Sequence, residues 1–151
     1  MHNDTPPYHE ASQALMNAGF HKLLGYKQGR WAPGETEVFL DVKPHHLNLG
    51  GVVHGGVLST LLDIVCAQSG TYCPTRGNVR KAITLSLTTS FTGQCQGGTL
   101  RAVGKVRAKG SRVYHASGEV FDDKGNLLAM GEGTFRLRSG SEQESGVPLS
   151  S

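Results

Sequence analysis

The chain has 151 residues and a formal net charge of +3, with 37% hydrophobic and 18% charged residues. That length suits one domain, and the balance of apolar and charged residues excludes wholesale disorder. No apolar run approaches the ~18 residues of a membrane span, and only 7% of residues are aromatic, which excludes an integral helical membrane protein and argues against a basic–aromatic nucleic-acid binder. The opening Met1-His2-Asn3-Asp4-Thr5 has no basic stretch leading into an apolar one, so a cytoplasmic location is the expectation.

In chain order, residues 1–19 are expected to form a tail with a short helix over His9–Ala18, with Ala11, Ala14, Leu15 and Ala18 on one side. The main domain is expected over 20–138. A strand over Phe20–Arg30, the turn Ala32-Pro33-Gly34 and a second strand over Glu35–Val42 open it. A glycine-rich segment from His46 to Gly56 then enters the apolar run Val57 to Ala67, which reads as a buried helix closed near Gly70. From residue 81 the period becomes two: Ile83, Leu85, Leu87 and Phe91 alternate with Thr84, Ser86, Thr88 and Ser90. Strands follow near 100–109, 112–121 and 127–138, the last two joined by the turn Asp122 to Asn126. The segment 139–151, rich in Ser, Gly and Glu, is expected to be a flexible tail. Two strands, one long helix and four antiparallel strands make an α+β pattern, most simply packed as a sheet wrapping a central helix.

Both nucleotide-binding fingerprints fail in the glycine-rich segment: there is no Gly-x-Gly-x-x-Gly, and Gly56 is followed by Val57 where a phosphate loop needs Lys. The Gly-x-Ser-x-Gly elbow of serine hydrolases is also missing. Cys66, Cys73 and Cys95 form no Cys-x-x-Cys pair and read as reduced thiols, with Cys66 as core packing. His45, His46 and His54 do not match a zinc-ligand spacing, so no metal is expected.

Two features do carry chemistry. A helix N-terminus behind Gly55 and Gly56 has unsatisfied N–H donors and a partial positive charge, with no side chain to keep a ligand oxygen away. Such donors can stabilise charge developing on a carbonyl oxygen, although a plain tight turn uses glycine in the same way. Asp63 lies among Leu61, Leu62, Ile64 and Val65, where an isolated carboxylate is costly to bury and serves either as a base or as a satisfied structural group. The two features are about 12 Å apart along one helix at 1.5 Å per residue, so one helix cannot unite them. If they cooperate, a two-fold homodimer with antiparallel helices is required.

The segment Asn48-x-x-Gly51-x-x-His54-Gly55-Gly56, followed by Asp63, resembles the hotdog-fold acyl-CoA thioesterases, and most of all their PaaI-like branch. The resemblance implies a hotdog fold with a curved sheet of about six strands, sites at a dimer interface, and dimers that pair into tetramers. It also implies an acyl-CoA substrate and hydrolysis without a cofactor. Carried onto this chain, Asn48 and the backbone amide of Gly55 would polarise the thioester carbonyl, and His54 would shape the pocket. Asp63 of the partner subunit would act as general base or nucleophile, with Thr84 positioning it or its water. Gly56, Arg80, Lys81, Lys109 and Arg112 are candidates for binding substrate, the basic ones at the phosphates of coenzyme A. Arg101, Lys105 and Arg107 share the expected basic strand face with Lys109, and an ordinary solvated face reads equally well.

A hydratase or dehydratase of the same fold is disfavoured, because His46-Leu47-Asn48-Leu49-Gly50 lacks the Asp and Pro of the Asp-x-Asn-Pro-x-His motif. A non-catalytic acyl-CoA binder would use the same pocket and stays open as an alternative.

Overall fold

The computed structural model describes residues 10–149. Two short helices, α1 (Glu10–Met16) and α2 (Gly19–Leu24), precede β1 (Lys27–Ala32) and β2 (Glu35–Asp41). After a 3₁₀ turn at Pro44–His46 come the long helix α3 (Gly55–Ser69), then β3 (Asn78–Val79), β4 (Ala82–Phe91), β5 (Thr99–Lys109), β6 (Val113–Phe121), β7 (Leu127–Leu137) and β8 (Val147–Pro148). Six strands form one antiparallel sheet in the order β1-β2-β5-β6-β7-β4, and β3 pairs with β8 in a small second sheet. The sheet wraps α3, which touches β2, β4, β5, β6 and β7. This is the hotdog fold.

The core forms because α3 presents Leu58, Leu61, Leu62 and Val65 to the inward positions of the strands, among them Val38, Leu40, Leu100, Val120 and Leu128. Burying each such side chain contributes about 1.5–3 kcal/mol. The helix comes closest at Gly104 of β5, where a Cβ would run into the carbonyl of Val65.

Four expectations are corrected. The strand expected over Phe20–Arg30 is divided: 19–24 is helix α2, and β1 starts only at Lys27. Gly25 makes the division, because at φ 83° it closes α2 with its amide on the carbonyl of His21. The helix expected over His9–Ala18 spans Glu10–Met16, and His9 lies outside the described residues.

The tail expected over 139–151 is docked as far as residue 149. Ser141 is buried; its hydroxyl accepts from the amide of Lys81 (2.9 Å), and its carbonyl accepts from Arg80 Nε (2.8 Å). Asn78 Nδ2 donates to the carbonyl of Ser145 (2.8 Å), and β8 pairs with β3. The segment docks through polar groups, its carbonyls and the Ser141 hydroxyl accepting from donors of residues 78–81, which a reading of apolar content misses.

The fourth correction concerns strand faces. The register of β4 against β7 shifts between Thr84 and Ser86. Ala82 and Thr84 face the helix before the shift; after it, Leu87, Thr89 and Phe91 face the helix, while Ser86 and Thr88 turn outward. A second shift in β5, between Val106 and Ala108, separates Lys109 from the Arg101–Lys105–Arg107 face. Lys109 pairs with the inward-facing Tyr114, whereas Arg107 bonds the outward Ser117 hydroxyl (2.7 Å). Each extra residue in a bulge reverses the alternation beyond it.

Candidate active site

The loop before α3 is organised by two side chains. Asn48 Oδ1 accepts from the amides of Gly50 (2.9 Å) and Val52 (3.2 Å), fixing the turn. With its acceptor used, Asn48 keeps the two N–H donors of Nδ2, which have no partner among the described residues. His54 is the N-cap of α3, and its Nδ1 accepts from the amide of Gly56 (2.8 Å). A Cβ at Gly56 would sit 2.9 Å from that nitrogen, so the cap needs glycine there.

This corrects one expectation, that both glycine amides would be open to a ligand. The Gly56 amide is taken by His54, while the Gly55 amide has no partner among the described residues. Its neighbour is Phe91 at the far end of β4, whose ring would lie 3.5 Å from a Cβ on Gly55. Phe91, beside this helix start, is exposed, as is Leu49 in the preceding loop.

Asp63 sits two turns further along α3. It is half-buried, less enclosed than the surrounding apolar run suggests, and its Oδ1 accepts from Thr84 Oγ1 at 2.7 Å. Thr84 can reach it because the bulge that follows keeps both Thr84 and the later Leu87 on the helix side of β4. Asp63 and Thr84 line a cleft of about 270 Å³ whose other walls include Tyr26, Trp31, Gln68, Met16 and Arg80. Sequence reasoning missed most of these walls, because Tyr26, Trp31 and Met16 come from elements distant in the chain.

A polar cluster stiffens that region. Gln68 Nε2 donates to Gln28 Oε1 (2.8 Å), Gln68 Oε1 accepts from the Thr36 hydroxyl, and Trp31 Nε1 donates to the Gln68 carbonyl (3.0 Å). Each buried polar atom in it has a partner, which makes the wall rigid.

The basic candidates separate. Arg80 and Lys109 share a cleft of about 420 Å³ with Tyr114, Glu142 and Glu144, and Arg80 also borders the Asp63 cleft. Lys81 and Arg112 line neither cleft; Lys81 is clipped to the C-terminal segment through its backbone, and Arg112 is exposed at the β5–β6 turn. Arg101 is paired with Glu37 at 2.6 Å on the opposite face of the sheet.

His46 is a structural group. Its ring is buried, with Nδ1 accepting from the Lys43 amide (2.9 Å) and Nε2 bonded to the Leu24 carbonyl (2.8 Å), so Nε2 carries the proton. Burial pushes the Cys66 thiol up to about 12, as suits an inert core side chain. Among the described residues no three His, Cys, Asp or Glu side chains gather as metal ligands, and no helix is long and apolar enough to cross a membrane.

Comparison with known proteins agrees with this architecture. Residues 50–129 match the family model described as the thioesterase superfamily. The Pseudomonas aeruginosa protein PA0474, named as an inferred esterase, is 31% identical over 107 residues, covering 70% of this chain and 78% of that protein. Among solved structures, a conserved Pseudomonas aeruginosa protein, PA5202, is 28% identical with a TM-score of 0.73, covering 83% of this chain and 98% of its own. A mutant of the phenylacetic acid degradation protein PaaI from Thermus thermophilus is 29% identical with a TM-score of 0.67, covering 78% and 96%. The thioesterase HI1161 from Haemophilus influenzae shares the fold with a TM-score of 0.76 at 17% identity, covering 89% and 92%. With this fold and these matches, the chain belongs to the thioesterase superfamily, as a PaaI-like member.

Proposed function

We propose that the protein hydrolyses acyl-CoA thioesters at sites shared between two subunits. The observation that carries this reading is the 2.7 Å hydrogen bond from Thr84 to Asp63 on the wall of an open cleft. Family membership supports thioester hydrolysis as the reaction class.

In this reading the Gly55 amide and Asn48 Nδ2 of the preceding loop, donors with no partner among the described residues, bind the thioester oxygen. They stabilise the negative charge that develops there when the carbonyl carbon is attacked. Thr84 holds Oδ1 of Asp63, so Oδ2 is free to take the proton of an attacking water. The tetrahedral intermediate then expels the thiolate as the carbon–sulfur bond breaks, and the proton is returned to the sulfur. Direct attack by Asp63 on the carbonyl, with water releasing the acyl group afterwards, uses the same groups. Oxyanion donors and a positioned base each supply typically 10²–10³-fold or somewhat more. His54 keeps the loop in shape through its bond to Gly56. Arg80 and Lys109 are the pair that best suits coenzyme A phosphates, since they share one cleft.

The edge strand supports the two-subunit arrangement. Among the described residues β4 is paired only on its β7 side, and it exposes Ile83 (45%), Leu85 (53%) and Phe91 (54%). An open apolar edge calls for a cover. Its beginning lies under Asp63, and its end lies beside Gly55. Antiparallel pairing of two β4 strands about a two-fold axis therefore carries the Gly55 end of one subunit toward Asp63 of the other. A dimer of such dimers gives the tetramer of the PaaI-like branch.

The test is thiol release from a panel of acyl-CoA esters by wild type and Asp63→Asn. The expected result is turnover of at least one ester by wild type and a loss of about 100-fold or more in the variant, with an unchanged circular dichroism spectrum. Saturable binding without thiol release from any ester favours a non-catalytic binder instead.

A further inference from the structure

The cleft beneath Asp63 is bordered by residues that precede the sheet. Ser12, Leu15 and Met16 of α1 and His21 of α2 line it. A thioester whose carbonyl carbon sits at Asp63 extends two arms from that carbon. At about 270 Å³ the cleft falls below the ~300–1,000 Å³ of sites that enclose drug-sized ligands, so it has room for an acyl group but not for a whole coenzyme A.

From this we infer that Leu15 and Met16 are specificity-determining residues, setting the longest acyl group that fits between Asp63 and helix α1. The inference rests on the thioesterase reading and adds which element measures the substrate. The wall is anchored: Met16 Sδ accepts from Gln68 Nε2 at 3.5 Å, and Gln68 is held in turn by Gln28 and Thr36. Leu15 is 41% exposed and lines the cleft, so shortening it lengthens the space available to an acyl chain. An acyl chain too long for the chamber must displace this tethered helix, whereas a short one need not.

The experiment measures kcat/KM for hexanoyl-, dodecanoyl- and palmitoyl-CoA with wild type, Leu15→Ala, Met16→Ala and Leu15→Trp. The alanine variants are expected to raise the dodecanoyl-to-hexanoyl ratio about 10-fold or more, and Leu15→Trp is expected to lower it comparably, on the scale by which apolar pockets discriminate added carbons. Leu15 makes no hydrogen bond to the rest of the fold, so its two variants decide the question even if Met16→Ala loosens α1. Ratios within twofold of wild type in the folded Leu15 variants overturn the inference while leaving the hydrolase reading intact. Wild type that releases thiol from no ester removes the hydrolase reading itself, and the inference with it.

Discussion

Asp63 is held by one hydroxyl, and the strength of that hold is measurable. Removing a hydrogen bond to a charged group costs about 1.5–3 kcal/mol, so Thr84→Val should lower kcat about 10-fold or more with little change in KM. Thr84→Ser should restore most of it; failure of serine to rescue would make Thr84 a packing residue only. His46 gives a second residue-scale expectation, in stability. Burial, together with the positive charge of His45 and Lys43, holds its ring below the ordinary value of 6.5, against the opposing bond to Leu24. The unfolded chain therefore binds a proton at His46 more readily than the folded one, so its contribution is full above about pH 6.5 and is lost as pH falls through the lower folded value. Melting temperatures from pH 7.5 to 5 should fall more steeply for wild type than for His46→Asn. Equal slopes would show that His46 does not couple pH to folding.

At the scale of elements, the C-terminal segment is a fastening. Truncation after Ser139 removes the buried Ser141, the β8 pairing and the partners of Asn78, Arg80 and Lys81. With net hydrogen-bond contributions of about 1 kcal/mol each, chemical denaturation should show a loss of roughly 2–4 kcal/mol. A truncated chain as stable as the full one would mean that the segment merely rests on the surface. The same scale explains what the sequence made legible. α3 and the succession of six main strands along the chain could be read because the helix is a long apolar run and each strand carries a stretch of alternating residues. Asp63 and the Asn48-to-Gly56 loop could be read because a carboxylate among leucines and paired glycines before a helix are local signals. Helix α2 was hidden by reading its apolar run together with β1 across Gly25, which is in fact a cap. The faces of Thr84 and Lys109 depend on bulges, which leave no local mark because the extra residue is defined only against the partner strand. The cleft wall of Tyr26, Trp31 and Met16 is a long-range product of packing.

At the scale of the whole molecule, one chain holds both halves of the proposed chemistry but keeps them apart. Donors at the start of α3 and the base two turns later are separated by about 12 Å of helix, and β4 runs from one to the other with its outer edge unpaired. Two chains related by a two-fold axis would solve both problems with one contact, covering the edge and completing two sites.

That claim is tested most directly by mixing two inactive proteins, Asp63→Asn and Asn48→Ala, under conditions where subunits exchange. Random exchange makes half of the dimers hybrid, and each hybrid has one intact site of two, so the mixture should regain about a quarter of wild-type thiol release. Hybrid dimers that form, as seen by native mass spectrometry, yet stay inactive would contradict a site built from both subunits.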